Sequence, residues 1–296
     1  MTMIRTGVAG IVVLLSLLAA GPAHGQWVEP PGTGWVNLQV AHQTTDTGFN
    51  KDGNIVPLDE LDPEARSVIT TARLTGALGL VRGLDAWLDL PVHRQEFTGS
   101  GSDLLTTGLG DPRVFLRAGP SLVGVESLPV AVAVRGGAKF TTGTFENDAE
   151  TITLSQGQRD WEALLEVGKS LHPWPVYLAG WTGYRWREVN EEIGRDPGNE
   201  WVFYAAAGGH IDRLQWKVAV DGLFGEPSID TRTGFEFASR ELVQLIPSVG
   251  WPVGPGTIEA GARLPLHGRS TRSDRLPASP TFTLGYVFTW DDSLWN

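Results

Sequence analysis

The sequence predicts an all-β chain whose strands close into a transmembrane antiparallel up-and-down β-barrel of about twelve strands, with ten or fourteen as alternatives. Three observations carry this. Runs of about ten residues alternate between apolar and polar, the connections between them are alternately short and long, and aromatic residues gather where runs end.

The runs fall near 34–43, 67–80, 84–97, 111–119, 130–140, 159–170, 176–188, 200–210, 214–225, 240–250, 257–267 and 279–290. In the fifth, Val130, Val132, Val134, Ala138 and Phe140 hold one parity, against Ala131, Ala133, Arg135, Gly137 and Lys139. Leu84, Ala86, Leu88, Leu90 and Val92 oppose Asp85, Asp89 and His93 in the same way, as Ile258, Ala260, Ala262, Leu264 and Leu266 oppose Glu259, Gly261 and Arg263. A period of two puts each set on its own face of a strand. Pro91, Pro247 and Pro265 lie within or near the ends of these runs, where each removes a ladder donor.

Tight links at Arg82-Gly83, His172-Pro173, Ile211 to Arg213 and Pro252 to Gly256 take turns with long polar connections before Arg66, around Gly99 to Ser102, and at 141–158, 189–199, 226–238 and 268–278. The link 119–129 breaks the pattern. Such alternation fits a barrel with turns at one end and loops at the other; an even strand count then leaves both termini on the periplasmic side. In hydrocarbon every backbone group must be paired, so the sheet closes, apolar outside and polar inside. Antiparallel sandwiches and jelly rolls also alternate, so a soluble periplasmic β-sandwich binding module is the alternative.

Ahead of the first run, Thr2 to Arg5, the apolar stretch Gly7 to Ala20 and Ala23-His24-Gly25 read as a secretory signal over residues 1–25, with residues 26–296 as a single barrel domain. The apolar stretch is shorter than the roughly 20 residues a spanning helix needs. A formal net charge of −11 argues against nucleic acid as a partner, and the absence of cysteine excludes disulfides and thiol catalysis.

Tyr184, Trp186, Trp201, Phe203, Trp216, Trp251, Tyr286, Phe288 and Trp290 are placed to form outward aromatic girdles. In the last run, Thr283, Gly285, Phe288 and Trp290 follow the pattern polar, any, Gly, any, any, hydrophobic, any, aromatic. This resembles the C-terminal signal read by the assembly machinery of outer-membrane barrels, although here a tail, Asp291 to Asn296, follows it. Over residues 35–290 the chain resembles the outer-membrane family named after the meta-pathway of phenol degradation. The residues carrying this are Gly108-Leu-Gly-Asp-Pro-Arg113, Lys139-Phe-Thr-Thr-Gly143, Gly157-Gln-Arg-Asp-Trp161, Gly183-Tyr-Arg-Trp-Arg187 and Pro197-Gly-Asn-Glu-Trp201. The resemblance implies a Gram-negative outer-membrane location, lipid and lipopolysaccharide as surroundings, and transport of small solutes. It carries over no catalytic residue and no cofactor.

By parity, Arg73, Asp85, Asp89, Arg113, Arg117, Arg135, Lys139, Glu162, Glu166, Arg185, Arg187, Lys217, Asp221, Glu259 and Arg263 face the lumen. Charges of both signs there can pair across strands and select solutes. Arg113, Arg117, Arg185 and Arg187 could make a basic constriction favouring anions such as aromatic carboxylates. The acidic residues Asp46, Asp52, Asp59, Glu60, Asp62, Glu64, Glu146, Asp148, Glu150, Glu191, Glu192 and Asp196 fall in long loops without calcium-loop spacing. An enzyme is not expected: no Gly-x-Ser-x-Gly or His-Glu-x-x-His occurs, and among His42, His93, His172, His210 and His267 only His93 and His267 fall where they could meet. A lipid-modifying barrel enzyme is the further alternative, and it requires an outward Ser or His near the rim.

Overall fold

The computed structural model describes residues 28–59, 62, 64–99, 102–125, 128–142, 151–266, 271 and 276–290. The expected signal segment 1–25, the tail 291–296, Gly143 and His267 lie outside these residues. The chain forms β1 (Gly34–Thr45), β2 (Arg66–Val81), β3 (Leu84–Gly99), β4 (Ser102–Leu109), β5 (Arg113–Ala118), β6 (Ala131–Lys139), β7 (Asp160–Ser170), β8 (Val176–Arg187), β9 (Glu200–Ile211), β10 (Leu214–Gly225), β11 (Glu241–Val253), β12 (Gly256–Pro265) and β13 (Thr281–Trp290). Apart from β4 and β5, which both pair with β3, neighbours in sequence pair antiparallel, and β13 closes on β1 in a ladder from Gly34↔Trp290 to Gln43↔Thr281. The result is a closed barrel of twelve strand positions, because β4 and β5 share one.

That shared position departs from expectation. The stretch after Gly99 reads as a loop, yet Ser102–Leu109 pairs with the far half of β3, from Val92↔Leu109 to Gly99↔Ser102, while Arg113–Ala118 pairs with its near half, Leu84 to Asp89. Pro91 lies opposite the break, where β3 needs no donor, and its carbonyl accepts from the Gly110 amide. Pro247 sits in a gap of the β11–β12 ladder, between Leu245↔Leu264 and Ser248↔Gly261, and Pro265 ends β12. Each proline thus occupies a site where the ladder is already interrupted. The irregular link after β5 is a 3-10 turn over Pro120–Val123, closed by Gly124 in the left-handed region.

Polarity is reversed relative to a soluble fold. Val134 and Leu284 are 58% and 59% exposed, whereas Arg135 is 8% and Asp85 0% exposed. Leu88, Val114, Leu165, Val218, Val249 and Ile258 share the outward face. The aromatic set lies outward as well. Trp161 pairs with Trp186, and Tyr184 and Phe224 flank Trp201 at the long-loop end of β7 to β10. Trp216, Trp251 and the Tyr286, Phe288, Trp290 series mark the short-turn end. From Phe224 to Trp216, eight residues at about 3.3 Å on a strand tilted by roughly 40° cover about 20 Å of barrel height.

At the long-loop end the connections pack on one another. Thr47–Phe49 pairs with Ile55–Pro57 and Leu276–Pro277, and Arg195–Asp196 pairs with Ile229–Asp230. At the other end the segment before β1 turns inward. The Glu29 amide donates to Asp85 Oδ2 at 2.8 Å, the Gly32 amide to the Gly79 carbonyl, and Trp290 Nε1 to the Gly32 carbonyl.

Candidate functional site in the barrel interior

The β6, β7 and β8 ladders set the depth of each inward side chain. Because every second residue points inward, residues facing one another across the ladders form level rows. Nearest the long loops Arg187 faces Asp160, and one row further in lies Glu162–Arg185–Glu200. Next comes an apolar row, Leu164–Gly183–Val202–Leu223–Leu242, against which Trp181 packs. Below it runs Glu166–Trp181–Tyr204–Asp221–Gln244. Gly183 is glycine because a Cβ there would enter the Ala163 carbonyl and the Leu164 side chain.

The charges form two clusters. In the lower one Arg117 holds Asp85 and Glu166, and Arg135 holds Glu166 at 2.8 Å. Both guanidiniums stack on Trp87, at 4.7 and 4.8 Å from its ring centre, and Trp35 meets Trp87 edge-on. In the upper cluster Arg113 and Arg185 share Glu162 at 3.3 and 2.9 Å; Arg185, Arg187 and Arg240 share Glu200; Arg187 and Lys139 share Asp160; and Lys139 also reaches Asp111 at 3.4 Å. Five cations there share four carboxylates. Three more exposed pairs stand apart: Arg73–Asp89 at 3.4 Å, Lys217–Glu259 at 2.7 Å and Arg263–Asp221 at 3.2 Å.

All fifteen sequence-selected charges therefore engage an opposite charge. Arg113, Arg117, Arg185 and Arg187 are not a free basic ring, since each is held by one or two carboxylates. Asp111, Asp160, Glu200 and Arg240 also belong to the upper cluster, although parity reasoning did not select them. Asp160 shares the parity of Glu162, and Glu200 that of the inward Val202, so both were readable. Trp35, Trp87, Phe115, Trp181 and Tyr204 also face inward, outside the sequence-selected set, and their parity is that of the charged face.

Among the cavities bounded by described residues, two are lined by paired charges. One of about 520 Å³ at the short-turn end is lined by residues including Tyr177, His210, Trp216, Lys217 and Glu259. The other, about 280 Å³ at the long-loop end, is lined by residues including Arg187, Asn190, Arg195, Phe237 and Arg240. The segment Ser155 to Gln158 folds over the upper cluster: Ser155 Oγ donates to Asp111, and Gln156 Oε1 accepts from Lys139 Nζ and Arg187.

His42 faces outward, its ring nitrogens meeting Thr70 and Thr44 hydroxyls at 3.0 and 3.5 Å, with no carboxylate bonded to it among the described residues. His93 faces inward against Thr71 Oγ1 at 2.8 Å. Among the described residues no three His, Asp or Glu gather as a metal site. Thr283 and Gly285 point inward and Phe288 and Trp290 outward on β13, the strand that closes the barrel.

No family model matches the chain. No curated protein matches it either. Solved barrels do resemble it. An outer membrane channel from Pseudomonas putida F1 superposes with a TM-score of 0.69 at 14% identity, covering 92% of this chain and 100% of its own. The NanC porin superposes at 0.48 and 9% identity over 86% of this chain and 98% of its own. The outer membrane protein OmpT of Vibrio cholerae does so at 0.42 and 9%, over 88% and 100%. The first of these shares the barrel fold of this chain.

Proposed function

We propose that this protein is a bacterial outer-membrane channel for passive uptake of small molecules. The observation that carries the reading is its inverted polarity: an apolar, aromatic-edged exterior around an interior of paired charges. Soluble folds put the apolar face inside, so this arrangement suits hydrocarbon outside and water within. The likeness to the Pseudomonas putida F1 channel supports it, as does the sequence resemblance to the phenol meta-pathway family. In this reading residues 1–25 direct export, the termini and short turns face the periplasm, the long loops meet lipopolysaccharide, and Thr283, Gly285, Phe288 and Trp290 are read by the assembly machinery. The fifteen paired charges line the solute's route. For the lipid-modifying alternative, the outward His42 meets only hydroxyls among the described residues, with no orienting acid among them.

The test has two arms. The protein should leave washed membranes only with detergent, and purified protein in planar bilayers should give single-channel steps. Extraction by salt or alkali alone, or an absence of conductance together with phospholipid hydrolysis, would overturn the proposal.

A further inference from the structure

The upper charge cluster is unevenly balanced, and its surplus falls beside a cavity. Glu200 is the one carboxylate shared by Arg185, Arg187 and Arg240, and it lies 3.9 Å from Arg240 Nε, beyond hydrogen-bond range. Arg187 spends its terminal nitrogens on Glu200, the Pro197 carbonyl and Gln156, whereas the Arg240 Nε is shielded from solvent and makes no hydrogen bond. A buried donor without an acceptor is costly, and a guanidinium is built to hold a carboxylate. Both side chains line the 280 Å³ cavity at the long-loop end.

A third guanidinium lines the same space. Arg195 has no ion pair among the described residues; its Nε donates to Ser228 Oγ, and its Cζ lies 3.3 Å from the Phe237 ring centre. The acid in the lining, Glu226, is already engaged by the Tyr184 hydroxyl and by Asn199. Ile193 and Phe237 supply apolar wall. The volume is near the lower end of small-ligand sites, which begin at about 300 Å³.

We propose that this cavity binds a small organic monocarboxylate, its carboxylate held by Arg240 and Arg195 and its apolar body lying against Phe237 and Ile193. The binding site rests on the channel reading only for the route by which the ligand arrives.

Benzoate is the probe and benzyl alcohol its uncharged counterpart, each titrated by calorimetry into the full-length mature barrel in non-ionic detergent. Benzoate should bind at least about tenfold more tightly than the alcohol, and Arg240→Gln or Arg195→Gln should each weaken benzoate by about tenfold while leaving the alcohol unchanged. Heat-modifiable gel mobility checks that each variant is folded. Equal affinity for the two probes, no benzoate binding, or full benzoate affinity in both folded variants would overturn the site. If a variant fails to fold, the wild-type comparison of the two probes still decides. Benzoate binding without bilayer conductance would remove the channel reading and leave the site, while conductance without benzoate binding would do the reverse.

Discussion

Arg117 shows how much a single inward charge can matter. It is 4% exposed, holds Asp85 and Glu166, and lies over Trp87. Arg117→Ala leaves two buried carboxylates with less compensation, a change that costs about 3–5 kcal/mol. Lys217→Ala removes the partner of Glu259 in a pair about 30% exposed on both sides, where water screens the loss to about 0–1 kcal/mol. Urea-dependent folding into lipid vesicles should separate the two variants by that margin; similar costs for both would mean that the lower cluster is as wet as the outer pairs. At a backbone position the same closeness of packing appears as a glycine requirement. Gly208 faces Tyr177 across the β8–β9 ladder, and a Cβ there would enter the tyrosine ring. Gly208→Ala should cost about 1–3 kcal/mol, and most of it should return in the Tyr177→Leu background, because the obstruction is a side chain. Without that rescue, backbone strain is the cause.

Among the elements, the inward-turned segment before β1 carries a pH dependence. Burial pushes the Glu29 carboxyl above its ordinary value; the Arg117 charge pulls it down and the Asp85 charge adds to the rise. A group whose pKa is raised in the docked state favours docking at low pH, and that contribution is lost as pH rises through the raised value. Amide exchange at Glu29 and Gly32, corrected for intrinsic rates, should therefore be slower at about pH 5 than at about pH 8. In Glu29→Gln the difference should vanish; if it persists, another group controls docking. Element boundaries were read from alternation with only small shifts at most ends. The split of one strand position into β4 and β5 was not legible, because the Ser102–Leu109 ladder depends on the far half of β3, and Gly and Ser around position 100 read locally as a loop. The proline sites are likewise understood only once the ladder gaps are known.

For the whole molecule, the sign of an outward substitution distinguishes a membrane barrel from a soluble one. Val134 lies opposite Leu165 on the outward face, 58% exposed. In a bilayer Val134→Arg should cost about 2–4 kcal/mol of folding free energy, whereas an arginine on an aqueous surface would cost almost nothing. Tryptophan fluorescence during folding into vesicles measures it, and a negligible change would count against a lipid-facing exterior.

Period-two alternation determined which face of each strand is charged, since a pleated strand gives consecutive side chains no other choice, and the alternating connections and aromatic placement pointed to the closed sheet that the Gly34↔Trp290 ladder completes. Val134 against Arg135, and Leu88 against Asp89, needed no coordinates to be assigned. Only the tertiary structure decided which charges meet, because Arg113 with Glu162 and Arg240 with Glu200 are set by strand register and barrel curvature acting across intervening strands. The same geometry decided where the cationic surplus falls, at the long-loop cavity, because a row along the chain has no record of which carboxylate must serve three guanidiniums.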